Sequence, residues 1–259
     1  MILYRLGPDG AYAVEADGVL RFLYSDPFET LPGGWEYGRE IQGGLPGLLP
    51  PVKPGKVIGI GRNYAAHAAE LGNEVPAEPL VFLKSPGSVI GPTAPIVLPP
   101  ESGEVHFEGE VAVVLRERIC RVAREEAAAA VLGVSCANDV TARDLQRGDK
   151  TFARAKSFDT FCPVGPGVLV GADLGDLEVA TRVNGEERQR SGVDLMLWDI
   201  PDLLAYLSRM MTLDPGDLIL TGTPAGVGPL TDGDRVEVEV SGVGVLTNPV
   251  EAWRGGSDG

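Results

Sequence analysis

Short apolar and β-branched runs separated by turn residues recur along this chain, and strands dominate the elements that the pattern predicts. MILYRL and AYAVEADGVLRFL at the start, VIGIG and PLVFLK further on, and DLILTGTP, DRVEVEV and VGVLTNPV near the end all read as strands. HFEGEVAVVL, from His106 to Leu115, leads two carboxylates into an apolar, β-branched run, and VSCANDV reads as a strand or strand end. Asn184-Gly185, between LEVATRV and EERQRS, is the dipeptide of a type I′ hairpin turn. Helices are few. RNYAAHAAEL (Arg62 to Leu71) reads as a short one, and REEAAAAVLG has helix-forming composition with acidic residues in its first turn. TARDLQRGD predicts one or two turns with Thr141 as N-cap. Ile200 to Thr212 carries apolar residues at helical spacing and stops before Pro215-Gly216. Many strands with a few segregated helices imply an α+β protein. The Pro/Gly-rich stretch GGLPGLLPPVKPG sets a boundary near residue 50, with a small β-rich N-terminal domain at 1–50 and the main domain at 51–259.

Composition narrows the function. A chain of 259 residues can bury a proper core. No apolar run approaches the roughly 20 residues that span a bilayer. MILYRLGPDG is no signal peptide, so a cytoplasmic protein without a membrane partner is expected. The net charge of −15 argues against nucleic acid, whose binding rests on neutralising phosphates with Lys and Arg. Three cysteines without C-x-x-C spacing predict reduced thiols, neither a disulfide framework nor a zinc knuckle.

Candidate chemistry begins at Glu108 and Glu110. In a strand, residues i and i+2 share a face, so both carboxylates project side by side. Like charges that close repel unless a cation intervenes or one takes a proton. The pair marks either a divalent metal site or a solvated strand face. Asp139 lies downstream, after a helix that can return the chain alongside the first strand. Three carboxylates without Cys or paired His make a hard-oxygen site suited to Mg²⁺, Mn²⁺ or Ca²⁺. His106 shares the face of Glu108, as ligand, partner to a ligand or ordinary strand histidine, and Asp144 is a metal neighbour or a helix surface charge. His67 and Glu70, three apart, are neighbours on one helical face, either an imidazole oriented by a carboxylate for general-base work or a solvated pair. Lys156, among small and aromatic residues, is a desolvated charge clamp or proton donor, or it snorkels. Arg143 and Gln146 fall three apart on the TARDLQ turn, where one can bind a carboxylate and the other donate to an enolate oxygen, or both are surface residues. TGTPAGVGPL lacks the G-K-[ST] of a phosphate loop, and GIGRNY lacks the third glycine of a dinucleotide fingerprint, which excludes nucleotide binding. Backbone N–H groups and the Thr223 hydroxyl in that loop can cradle a carboxylate instead.

In order along the chain, GRNYAAHAAE, FEGEV, NDVTARDLQ, AKSFDTF, NGEERQ and TGTPAGVG closely resemble the motifs of the fumarylacetoacetate hydrolase family, over roughly residues 55–250. The resemblance implies a mixed β-roll or barrel of that family's C-terminal-domain type around a Mg²⁺ or Mn²⁺ site, and a homodimer. It implies Glu108, Glu110 and Asp139 as metal ligands. His67 and Glu70 become a water- or proton-handling dyad on a mobile lid, and Lys156 the lysine that stabilises developing negative charge. Arg143 and Gln146 match positions near the substrate, and Thr223 the carboxylate-binding loop. His106 receives no role, because an acidic residue is common there. The implied substrates are small 2-oxo or enol dicarboxylates handled through a metal-bound enolate. The look is that of the 2-hydroxyhepta-2,4-diene-1,7-dioate isomerases and 5-carboxymethyl-2-oxo-hex-3-ene-1,7-dioate decarboxylases of aromatic catabolism. Acylpyruvate (fumarylpyruvate) hydrolysis and oxaloacetate-type decarboxylation are the alternatives, and a non-catalytic metal-binding protein is the remote one.

Overall fold

The strand Gly109–Leu115 is buried at every position, which explains why its sequence is a continuous apolar run and not an alternating one. Val111, Val113 and Leu115 pack into one core with Ile200, Leu203, Leu204 and Leu207 of the long helix. Ala112 and Val114 pack into a second core on the other face, with Leu3, Val14 and Trp35. This computed structural model describes residues 1–45, 47–70, 72 and 74–255.

Gly109–Leu115 lies within an 11-stranded mixed sheet, antiparallel to both Val131–Asn138 and Leu218–Leu220. Beyond Leu218–Leu220 come Val57–Gly61, in parallel, and then Leu80–Lys84 at the edge. On the other side Cys162–Val170 pairs with Val131–Asn138 and also with Ile2–Leu6. The β-rich N-terminal strands therefore continue the same sheet. A five-stranded sheet (Glu186–Gly192, Glu178–Val183, Arg235–Val240, Gly244–Ala252, Ile96–Leu98) packs on it, and a three-stranded one joins Thr141–Ala142, Val105–Phe107 and Gly228–Pro229. The expected mixed β fold with few helices is present. No sheet closes into a barrel among the described residues, which corrects that half of the expectation.

Local chemistry accounts for the element ends. Asp199 caps the helix Ile200–Met210 by accepting from Asp202 N at 3.0 Å, with Pro201 in the first turn. Asn184 and Gly185 have φ of 55° and 82°, as a type I′ turn requires. Two expectations need correction. Thr141 is no N-cap: it pairs with His106 in a short bridge, and its hydroxyl donates to Asp139 O at 2.8 Å. The predicted strand from His106 to Leu115 breaks at Glu108, whose N–H donates to the side-chain Oδ1 of Asn138 at 2.9 Å.

Candidate active site and metal centre

The break at Glu108 helps build the site. The Glu108 carbonyl accepts from Asp139 N at 2.8 Å, which ties the end of Val131–Asn138 to the start of Gly109–Leu115. Glu108, Glu110 and Asp139 thus converge, each at most 4% exposed, with one oxygen from each within 4.8 Å of the others. Same-face projection was the sequence argument for two of them. The third arrives by strand pairing.

Three cations answer these three carboxylates. Lys156 Nζ donates to Glu108 Oε2 and to the Thr141 hydroxyl, both at 2.9 Å, and also to Asp139 Oδ2. Lys84 Nζ donates to Asp139 Oδ1 at 2.6 Å and to Val140 O at 3.3 Å. Arg143 pairs with Glu108 Oε1 through Nη2 and donates to Gln146 Oε1 at 2.6 Å through Nη1. Glu108 and Asp139 therefore have both oxygens in ion pairs. Among the described residues Glu110 has none; its Oε2 accepts the Gly222 N–H, at 2.7 Å. Burial and the neighbouring Asp139 and Glu108 charges push the Glu110 carboxyl well above its usual range. Burial also pushes Glu108 upward, but Lys156 and Arg143 outweigh it and hold that carboxyl well below the usual range. Lys156 is likewise penalised by burial, and Asp139 and Glu108 more than compensate, keeping it a cation.

This donor set fits a divalent metal ion. Every donor is a hard oxygen, and one buried carboxylate has no cation of its own among the described residues. Mg²⁺ or Mn²⁺ held by Glu108, Glu110 and Asp139 would supply that missing charge. With three carboxylates against three side-chain cations, the ion would also leave the centre positive overall and receptive to an anion.

His67 sits on the short helix Ala65–Glu70, 4% exposed, with Nδ1 3.4 Å from Glu70 Oε2. Glu70 in turn accepts from Gly226 N at 3.0 and 3.1 Å, docking this helix on the TGTPAGVGPL loop. His67 faces a cavity of about 670 Å³, lined also by Glu108, Glu110, Asp139, Arg143, Gln146, Lys156 and Thr223, whereas Glu70 does not line it. His106 also lines the cavity, its Nε2 3.2 Å from Glu104 Oε1. Asp144 does not reach the centre; it holds Ser102 Oγ at 2.6 Å and Gly103 N at 3.0 Å.

Thr223 reaches the cavity, but its one hydroxyl proton is committed to Gly109 O at 2.9 Å. A carboxylate could take that proton only at the expense of this bond. The hydroxyl is held there by Gln189, whose Nε2 donates to Thr223 Oγ1 (2.7 Å) and Pro224 O (2.8 Å). Gln189 Oε1 accepts from Gly109 N at 3.0 Å. One buried amide thereby joins the metal-side strand to the loop. Gln189→Leu leaves these buried polar groups unpaired and is expected to cost about 1–3 kcal/mol of stability, measured as a lower denaturant midpoint at unchanged slope.

Sequence reasoning gave no role to two participants, Lys84 and the Gln189 that ends the NGEERQ motif. Gln189 lies in the hairpin strand Glu186–Gly192, whose flanking residues are exposed and charged. Lys84 ends the apolar strand Leu80–Lys84. A signal was there: Phe82 and Lys84 share the buried face of Leu80–Lys84, whereas Leu83 between them is 51% exposed.

The chain is similar to known proteins along most of its length. The fumarylacetoacetate hydrolase C-terminal profile covers residues 56–251. The solved 5-carboxymethyl-2-hydroxymuconate delta-isomerase from Mycobacterium smegmatis is 45% identical with a TM-score of 0.88, covering 98% of this chain and 100% of its own. The 2-hydroxyhepta-2,4-diene-1,7-dioate isomerase from Mycobacterium marinum is 40% identical at a TM-score of 0.87, with the same coverage. Fumarylpyruvate hydrolase from Pseudomonas aeruginosa, in complex with Mn²⁺ and pyruvate, is 33% identical at a TM-score of 0.73, over 82% of this chain and 94% of that one. A mitochondrial oxaloacetate tautomerase of Rattus norvegicus, Fahd2a, is 42% identical over 214 residues, 78% of this chain and 68% of its own.

Proposed function

The chain belongs to the fumarylacetoacetate hydrolase family, and from that premise we propose that it isomerises 2-hydroxyhepta-2,4-diene-1,7-dioate in a divalent-metal-dependent reaction. The observation that carries this is one cavity shared by a buried three-carboxylate centre, the Lys156 ammonium and His67, with Glu70 behind the imidazole at Nδ1. A divalent ion on Glu108, Glu110 and Asp139 supplies Lewis acidity toward the substrate's oxygens when bound.

The chain's own groups divide the remaining work. Glu70 beside Nδ1 favours the tautomer with its proton there and leaves His67 Nε2 as the base. That nitrogen moves the proton between the enol oxygen and carbon, a contribution on the order of 10²–10⁴ in rate. Lys156 stabilises the negative charge that grows on the 2-oxygen as the proton leaves. Arg62, Arg147 and Lys150 line the same cavity, Arg147 paired there with Glu104 at 2.8 Å, so an otherwise acidic chain offers cations to a second carboxylate. Isomerase and tautomerase relatives support the reading, since both names describe a proton relocated within a substrate. A second reading, acylpyruvate hydrolysis, is favoured by the same dyad, which can activate water as readily as it moves a proton, and by the likeness to fumarylpyruvate hydrolase.

Ultraviolet-monitored turnover of 2-hydroxyhepta-2,4-dienedioate tests the proposal, with Mg²⁺ or Mn²⁺ and again with EDTA. Conversion to the 2-oxo-3-ene isomer above the spontaneous rate, abolished by EDTA, is expected. Turnover of fumarylpyruvate alone would move the assignment to hydrolysis, and loss of CO₂ from oxaloacetate alone to decarboxylation. Absence of metal-dependent turnover with all three would overturn the enzymatic reading in favour of a metal-binding role.

A further inference from the structure

We propose that Phe82 is a positioning residue for Lys156, holding its ammonium in the cavity by cation–π attraction while it exchanges hydrogen-bond partners. The proposal rests on the role given to Lys156 above. Lys156 Nζ lies 4.7 Å from the centroid of the Phe82 ring, inside the roughly 6 Å over which such attraction acts. The ring is 5% exposed and lines the cavity, so little water screens it.

The surroundings place this ring with unusual care. Phe82 pairs with Gly59 on the neighbouring strand, and a Cβ on Gly59 would sit 2.2 Å from Phe82 Cζ. Only glycine lets the ring lie down across that strand toward the lysine. From the other side Phe152 meets it edge-on, with centroids 5.9 Å apart at 67°. Phe152 precedes the short helix Ala153–Lys156, and its carbonyl accepts from Lys156 N at 3.0 Å. The ring thus touches both the lysine's head group and the residue that anchors its backbone.

The physical need follows from the lysine's bonding. An ammonium has three N–H donors, and here all are engaged, by Glu108, Asp139 and Thr141. To stabilise charge on a substrate oxygen, Lys156 must release one of them. Attraction to a ring face does not depend on where the N–H bonds point, so the head group can turn without leaving its position.

The test is a fluorination series at position 82 in the full-length, metal-loaded protein: phenylalanine, then 4-fluoro-, 3,5-difluoro- and 3,4,5-trifluorophenylalanine, inserted site-specifically. Fluorine withdraws the ring's negative face with little change in shape. Substrates are 2-hydroxyhepta-2,4-dienedioate, fumarylpyruvate and oxaloacetate, with Tm recorded for each variant. The expected result is a stepwise fall in kcat, about 2- to 30-fold across the series, at constant KM and Tm. Phe82→Tyr should retain the parent kcat and Phe82→Leu lose it. A flat kcat across the series would overturn the proposal. Lys156→Met, assayed alongside, separates that failure from failure of the lysine's assigned role, since it should still lose kcat if only the aromatic contact is wrong. No turnover of any substrate by the parent protein would remove the functional reading and this inference together.

Discussion

Replacing Lys156 by methionine is expected to lower kcat by about 10²–10³-fold, the cost of one well-placed electrostatic donor, while metal binding survives or tightens. Lys156 is 2% exposed and wedged between Glu108 and Asp139, so its ammonium competes with a divalent ion for the same oxygens. Methionine is similar in length and fills the same space without the charge. Removing the competitor should raise affinity for Mn²⁺, measured by isothermal titration, even as turnover collapses. Without metal the variant should be less stable, because Glu108 keeps only Arg143 and Asp139 only Lys84. Losing one partner of a buried ion pair costs about 3–5 kcal/mol, so kcat should be measured at saturating metal. If kcat and metal affinity fell by the same factor, the lysine would be a support for the ligands and not a charge stabiliser.

How much of this site could be read from the sequence depends on whether a feature is local. The period-2 argument brought Glu108 and Glu110 together, and it succeeded although the strand that it assumed is interrupted between them. Asp139 was reachable because a helix and a strand return the chain after a short excursion, so Gly109 pairs with Asn138. The helix cap failed at Thr141, since local preference assigns a hydroxyl to the nearest free N–H. Here the hydroxyl donates to Asp139 O and accepts from Lys156, fifteen residues away. Pairings at long range left no mark at all. Nothing in MILYRL announces that Ile2 lies opposite Leu169, nor in EERQRS that Gln189 will hold Thr223. Periodicity tells which face of a strand is buried; it does not name the neighbour. The fold class was legible for the same reason, because it needs only the kinds of element and their order, whereas closure of a barrel depends on edges meeting.

Glu110→Gln should separate stability from function most sharply, and its sign can be worked out from the site. Burial, then Asp139 and Glu108, raise the Glu110 pKa well above its ordinary 4.5 in the folded protein. In the unfolded chain the group ionises near that ordinary value. As pH rises past it, the unfolded state sheds its proton first while the folded state still holds one. Stability without metal is therefore lost as pH rises from the unfolded pKa toward the raised folded one. Glutamine cannot ionise and still offers an oxygen to the Gly222 N–H. At neutral pH with EDTA the variant should melt higher than the parent, by about 2–4 °C for each kcal/mol relieved, and the gap should close below about pH 4. Metal should reverse the order. The parent gains about 2.7 kcal/mol at a hundredfold excess over Kd, whereas the variant lacks one of three ligands and gains little. Turnover should vanish with the metal response. Thermal melts across pH, with EDTA and with Mn²⁺, read both effects at once. A variant that melts lower than the parent in EDTA at neutral pH would mean that ionised Glu110 is already compensated, and the argument that this carboxylate awaits a divalent ion would fail.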